Sequence, residues 1–288
     1  MIEHKPIAYV FKICQSFFQH GVTISFCPGF RAGGEGACSV RNPLGRLTMT
    51  ANAMPNDPRP PLLLLPGTAC DRRVFVPLIE RLGDYPVLIG EMGGVETMPD
   101  LAETILAAAP PYFFLAGFSL GGICALEMVA RQPHRIGRLA LIDTTARPDT
   151  PTNAAVRRKA VADARTNGMD GFILDTWPRL VASVNVDNAA LRDTILAMAR
   201  DCGPERLAQQ AEMAIHRKDS RPRLAAITQP TLVLAGVEEQ VCPFEAQCEI
   251  AAGIPDARLH LIADAGHFSP LENPQAMALH LGRWLALS

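Results

Sequence analysis

No apolar stretch in this chain approaches the roughly 20 residues that a bilayer-spanning helix needs, which excludes a helical membrane-spanning reading. There is no basic excess either. The formal net charge is −2 with 19% charged residues, so the chain lacks the positive surface that phosphate-backbone binding requires, and nucleic acid is not expected as a partner. The run Arg157-Arg158-Lys159 reads as a solvated helix face. Paired metal-ligand spacings are missing. The seven histidines form no HxxxH or HExxH pair, and the eight cysteines form no CxxC, so a metal site is not indicated and reduced, cytoplasmic thiols are expected. A secretory signal is also missing, because the apolar segment from Pro6 to Phe11 is cut by Lys12 and no small-residue cleavage pattern follows.

What is present is a regular alternation. From Pro61 onward, short apolar runs recur at Leu62–Leu65, Val87–Ile89, Tyr112–Ala116, Leu139–Ile142, Thr231–Leu234 and Leu259–Ile262. Such runs suit strands buried on both faces. Helical patterns separate them at Val74–Leu82, Leu101–Ala108, Ile123–Arg131, Ala246–Ala252 and Gln275–Leu285. The expected fold class is α/β, a mostly parallel sheet with right-handed crossovers. From about Arg147 to Ala226 the alternation stops, and only helical periodicity and turn signals such as "TNGMDG" and "CGPE" remain. The expected domains are therefore a core of residues 61–146 and 227–288, and an inserted helical lid over 147–226. Trp177 and Met198 in the insertion are read as packing residues.

Residues 1–60 differ from the rest. Five bases against two acids over the first 48 residues leave about +3, and "RAGGEGA" reads as loop rather than a phosphate cradle, since its glycines have no strand before and no helix after. This segment is expected to be a poorly ordered extension. Met49 and Met54 precede "NDPRPP", and the folded part is expected to begin near there, with the upstream residues an extension whose presence in the native protein an intact-mass measurement decides.

Between an expected strand and an expected helix stands Gly117-Phe118-Ser119-Leu120-Gly121, a G-x-S-x-G pattern in the context that makes Ser119 a candidate nucleophile. Side chains two residues before or after it would collide at a sharp strand-to-helix turn, and glycine removes them. The helix that follows aims its positive end at a developing oxyanion. A serine hydroxyl needs a general base steadied by a carboxylate, and the expected order is serine, acid, histidine. His267 in "ADAGHFSPLENP" lies after the last strand and before the final helix. His134, His260 and His280 fit worse, falling after the elbow helix, in a strand and in the last helix. For the acid, "AGVEEQVCP" offers Glu238 and Glu239. Asp264 reads as a turn residue.

These motifs resemble the α/β-hydrolase superfamily over residues 61–287, in particular its esterase and enol-lactonase members. The family commonly carries G-x-x-D after its seventh strand with proline four residues later, and Gly236, Glu239 and Pro243 occupy those places. The resemblance thus points to Glu239 as the acid, with glutamate for the commoner aspartate and Glu238 in reserve. It also assigns an oxyanion hole to the backbone N–H groups of Thr68 and Leu120. Here Pro66-Gly67 replaces the usual His-Gly, and "GEMGGVETM" replaces a D-x-x-G-x-G-x-S loop.

The expected function is hydrolysis of a small-molecule carboxylic ester, thioester or lactone through an acyl-enzyme, without metal or organic cofactor. Arg147, where the lid begins, is a candidate partner for a substrate carboxylate or a solvated arginine. Two other readings stand beside it: a C–C bond hydrolase or lyase using the Ser-His pair, and a non-catalytic ligand-binding protein on the same scaffold. Haloalkane and epoxide chemistry on this fold uses aspartate where this chain has Ser119. The oligomeric state is open, with a homodimer among the options.

Overall fold

The computed structural model describes residues 57–286 and, upstream of them, the backbone of three strands: Thr23–Ser25 (β1), Cys38–Asn42 (β2) and Gly45–Met49 (β3). Six further strands follow: Leu62–Leu65 (β4), Val87–Gly90 (β5), Phe113–Phe118 (β6), Ile136–Ile142 (β7), Thr231–Gly236 (β8) and Ala257–Ile262 (β9). The sheet order is β1-β2-β3-β5-β4-β6-β7-β8-β9. Strands β4 to β9 are parallel, while β1, β2 and β3 are antiparallel and join the edge through β3 and β5.

The reason for the apolar runs is visible in how each strand divides its side chains. Leu62, Leu64, Phe114, Ala116, Ala140, Ile142, Leu232 and Leu234 point into one apolar layer. Leu63, Leu65, Phe113, Leu115, Leu139, Leu141 and Val233 point into the other. With both faces covered, neither set can be polar, and alternation is replaced by continuity. The edge strand β9 is the exception, half exposed along its length.

Helices cover both faces: Val76–Leu82 (α1), Met98–Ala108 (α2), Leu120–Arg131 (α3), Phe244–Gly253 and Pro274–Leu285 among them. Chain chemistry sets their ends. Thr97 accepts the N–H of Asp100 ahead of Pro99 at the start of α2, and Asn273 accepts that of Ala276 ahead of Pro274, each a capped N-terminus with proline in the first turn. At the far end of α2, before Pro110 and Pro111, the Arg135 guanidinium collects the carbonyls of Leu106, Ala109 and Pro110 at 2.9, 2.8 and 2.7 Å.

Between β7 and β8 there is no strand among the described residues. The insertion holds Pro151–Asn167 (α4), Met169–Leu174 (α5), Trp177–Leu180 (α6) and Ala189–Ile215 (α7). The last is broken where Gly203 takes a φ of 72° ahead of Pro204. Trp177 and Met198 are both buried, and the Trp177 indole donates to the Val186 carbonyl at 2.8 Å. None of the described helices is long and apolar enough to cross a membrane.

The sequence reading has no strand upstream of Pro61, and the structure has three. Segments β2 and β3 are five residues each, too short for a clear period, and Pro43-Leu44 between them is none of the glycine-bearing pairs that mark tight hairpins. Leu47, Thr48 and Met49 pair with Gly90, Ile89 and Leu88, so a chain starting at Met54 would lack this edge. The expected poor order of residues 1–60 otherwise lies outside the described residues up to 56.

Replacing Arg135 with alanine leaves four carbonyls, that of Pro111 at 3.3 Å included, without their charged donor and should cost about 2–3 kcal/mol. Urea unfolding measures this, and a loss below about 0.5 kcal/mol, the range of ordinary surface substitutions, would show that water replaces the guanidinium without penalty.

Candidate active site

At the carboxyl edge of the sheet, β6 ends and Ser119 takes φ 52°, ψ −115°, a conformation that side-chain-bearing residues avoid. Its backbone is held on both sides. Its N–H donates to the Ile142 carbonyl at 2.9 Å, its own carbonyl accepts from Gly122 at 2.9 Å and Ile123 at 3.2 Å, and the Thr144 hydroxyl adds a third donor at 2.7 Å. The two flanking glycines are required by space. A Cβ on Gly117 would lie 2.3 Å from the Gly121 carbonyl oxygen, and one on Gly121 would lie 2.1 Å from that of Leu65. Helix α3 can therefore start directly behind Ser119 and against β4.

His267 lies in the loop after β9 and is buried. Its N–H donates to Leu180 of the insertion at 3.0 Å. Glu272 braces the same loop: one carboxylate oxygen accepts from the N–H groups of Gly266 and Phe268 at 2.9 and 3.1 Å. The other accepts from the Ala182 N–H and the Asn185 amide of the insertion at 2.7 and 3.0 Å. With the loop so fixed, His267 Nε2 lies 3.0 Å from Ser119 Oγ and Nδ1 lies 2.5 Å from Glu239 Oε2. The other Glu239 oxygen accepts from the N–H groups of Val241 and Cys242.

Three of the sequence candidates are thus hydrogen-bonded in series, Ser119 to His267 to Glu239. Glu238 is not part of that series; its carboxylate binds the N–H and hydroxyl of Ser183 at 2.9 and 3.1 Å. Asp264 has a φ of 55° and offers its carbonyl to Asn185, as a turn residue does. His260 and His280 stack on each other with ring centres 4.4 Å apart, away from Ser119.

Thr68 and Leu120 line the same cavity as Ser119. Among the described residues no acceptor meets the Thr68 N–H, and Leu120 is the first residue of α3, where an N–H has no intrahelical partner. The turn after β4 is set by Gln210 from α7, wholly buried. Its amide accepts from Ala69, itself at φ 55°, and donates to the Met92 carbonyl, at 2.8 and 2.7 Å.

The cavity has a volume of about 390 Å³ and reaches from Ser119 and His267 to Phe172, Thr176 and Leu180 of the insertion. Arg147 lines it but is paired with Glu249 at 2.8 Å. Of the three basic residues expected on a solvated face, Arg158 and Lys159 are exposed and pair outward with Glu212 and Asp163. Arg157 instead turns inward, 3.1 Å from the buried Asp149, because consecutive helical positions are rotated by about 100° and one of three meets the interior.

Sequence reasoning missed Asp143, Gln210 and Glu272. Asp143, fully buried at the end of β7, accepts from the Gly236 N–H at 2.8 Å and from the Ser269 hydroxyl, joining the loops that carry Glu239 and His267. Burial, and after it the negative charge of Glu239, holds its carboxyl well above the usual aspartate range. Burial raises Glu272 as well. The only sequence signal for either was an acid beside a strand end or a candidate histidine.

Residues 62–279 match the alpha/beta hydrolase family, and the chain belongs to it. Among its relatives is a pimeloyl-(acyl-carrier protein) methyl ester esterase of Aromatoleum aromaticum, 31% identical over 241 residues that span 77% of this chain and 96% of that protein. A thermophilic esterase from Thermogutta terrifontis, solved with malate bound, is 27% identical with a TM-score of 0.75 and covers 88% of this chain and 98% of its own. The enol-lactonase from Burkholderia xenovorans LB400 shares the fold at a TM-score of 0.76 and 23% identity, over 84% of this chain and 97% of its own.

The raised Asp143 carboxyl has a consequence for stability. A carboxyl that holds its proton more tightly folded than unfolded gives its full contribution below the unfolded value near 3.8, and that contribution is lost as pH rises toward the folded value. Asn at this position keeps the shape without the ionisation. The Tm of Asp143→Asn minus that of the unmodified chain should therefore increase from about pH 4 to about pH 8. A flat or falling difference in thermal unfolding would refute a raised Asp143 carboxyl.

Proposed function

We propose that this chain is a serine hydrolase that cleaves a small-molecule carboxylic ester, thioester or lactone through an acyl-enzyme. The observation that carries the reading is the hydrogen-bonded series from Ser119 through His267 to Glu239 at the wall of a cavity. Esterase relatives of similar length support it.

In this reading His267 Nε2 takes the proton of Ser119 Oγ as that oxygen bonds to the substrate carbonyl carbon. Glu239, held by two backbone N–H groups, fixes the imidazole tautomer and steadies the imidazolium. The carbonyl oxygen gains the negative charge and is met by the N–H groups of Thr68 and Leu120, which need not reorient to receive it. Collapse of the tetrahedral species breaks the bond to the alcohol or thiol oxygen or sulfur, and the imidazolium returns its proton to that leaving group. Water then enters, gives a proton to His267, and attacks the acyl carbon. Release of the acid restores the Ser119 hydroxyl. In a lactone the leaving oxygen stays tethered to the acyl group. The helical insertion serves as the lid that shapes the cavity and limits water.

A fluorophosphonate should add one label per chain, on Ser119, and p-nitrophenyl acetate should give a burst of one p-nitrophenolate per chain. Ser119→Ala should lose the label and lower turnover by roughly 10⁴-fold or more, and Glu239→Gln should lower kcat by roughly 10² to 10⁴ with the label site unchanged. Labelling at another residue by peptide mapping, or ester turnover surviving Ser119→Ala, would sink the reading.

A further inference from the structure

The cavity wall contributed by the insertion carries three guanidinium groups, Arg147, Arg157 and Arg217, and no carboxylate lines the cavity among the described residues. Their neighbours decide which of them is available. Arg147 and Arg221 share Glu249, at 2.8 and 3.6 Å, and Arg221 also holds Asp219 at 2.7 Å, so in that group two cations meet two anions. Arg157 and Arg217 share Asp149 alone, at 3.1 and 3.3 Å. One positive charge is left over.

The hydrogen bonds locate it. Arg217 is nearly buried and donates to the carbonyls of Arg147 and Ala214, both at 2.8 Å. Arg157 donates only its Nε–H, to Asp149 at 3.1 Å. Among the described residues no acceptor meets either of its terminal nitrogens, and its side chain remains one-third exposed where it lines the cavity beside Asn153 and Thr150. A guanidinium held by one edge and open at the other presents a planar pair of N–H donors, which matches the two oxygens of a carboxylate. Being pinned by a buried acid, it binds with little loss of side-chain freedom.

We propose that Arg157 receives a carboxylate carried by the substrate, so that the esters this site takes best are monoesters of dicarboxylic acids, with the ester carbonyl at Ser119 and the free acid at Arg157. This rests on the serine-hydrolase reading for the reacting end and on the charge count for the other. The net excess of one charge fits one monoanion. A neutral acyl chain of the same length would leave the guanidinium desolvated against carbon, which costs free energy rather than gaining it.

The test compares p-nitrophenyl monoesters of glutaric, adipic and suberic acid with the same esters capped as methyl esters at the far end. At the best length the free acid should have the higher kcat/KM by roughly tenfold or more, and added salt should reduce that ratio. Arg157→Gln should bring the ratio down by about the same factor, Arg157→Lys should keep part of it, and the exposed Arg81→Gln should leave it unchanged. Because Arg157 also neutralises Asp149, fluorophosphonate labelling reports whether each variant keeps its fold. Calorimetric binding of monomethyl adipate to Ser119→Ala, with and without Arg157→Gln, measures the subsite independently of turnover. Weaker binding in the double variant supports the subsite even if no ester is hydrolysed, in which case it is the hydrolase reading that fails. A ratio at or below one at every length, or equal binding with and without Arg157, overturns the proposal.

Discussion

Everything at the carboxyl edge of the sheet follows from one close approach, the backbone of α3 packed against the last carbonyl of β4. No side chain fits at residue 121 because the Leu65 oxygen is already there, and the helix can come that near only if the chain turns in a single residue after β6. That residue is Ser119, and its positive φ is the cost of the turn. A hydrogen bond to the Ile142 carbonyl and three from Thr144, Gly122 and Ile123 over-determine the position. The hydroxyl is set at the end of the strand as a result, and Leu120, the first residue of the helix, lines the same cavity.

Four acids within the surrounding loops show how burial divides labour among chemically similar groups. Glu239 meets His267, Glu238 meets Ser183, Glu272 meets four N–H groups on two segments, and Asp143 meets Gly236 and Ser269. The raised carboxyl of Asp143 beside Glu239 is what electrostatics demands of two acids sharing a buried site. The loops bearing Glu239 and His267 are joined through that carboxyl, by the Gly236 N–H on one side and the Ser269 hydroxyl on the other.

The parts legible in sequence were those with a local signature. Continuous apolar runs gave the six parallel strands because both sheet faces are covered, and the spacing of Gly117 and Gly121 located Ser119 because sterics leaves no other residue. Choosing Glu239 over Glu238 needed a family pattern, since two adjacent glutamates in a turn are indistinguishable by composition. Gln210 and Glu272 could not be read at all: Gln210 acts on Ala69, 141 positions away, and Glu272 on Ala182, 90 positions away, and no periodicity encodes such pairs. Arg157 was misplaced for a related reason, since three consecutive bases look equivalent until a helix points one of them inward. The strands β2 and β3 escaped notice because an edge pair five residues long carries too little alternation to distinguish from loop.

The wholly buried amide of Gln210 joins the turn after β4 to the carbonyl of Met92, yet it belongs to α7, beyond the Gly203 break in the insertion. The inserted segment therefore reaches past the cavity it lines and buttresses the sheet edge itself: without the Gln210 amide, the backbone at Ala69, next to Thr68 of the cavity wall, has no such tether.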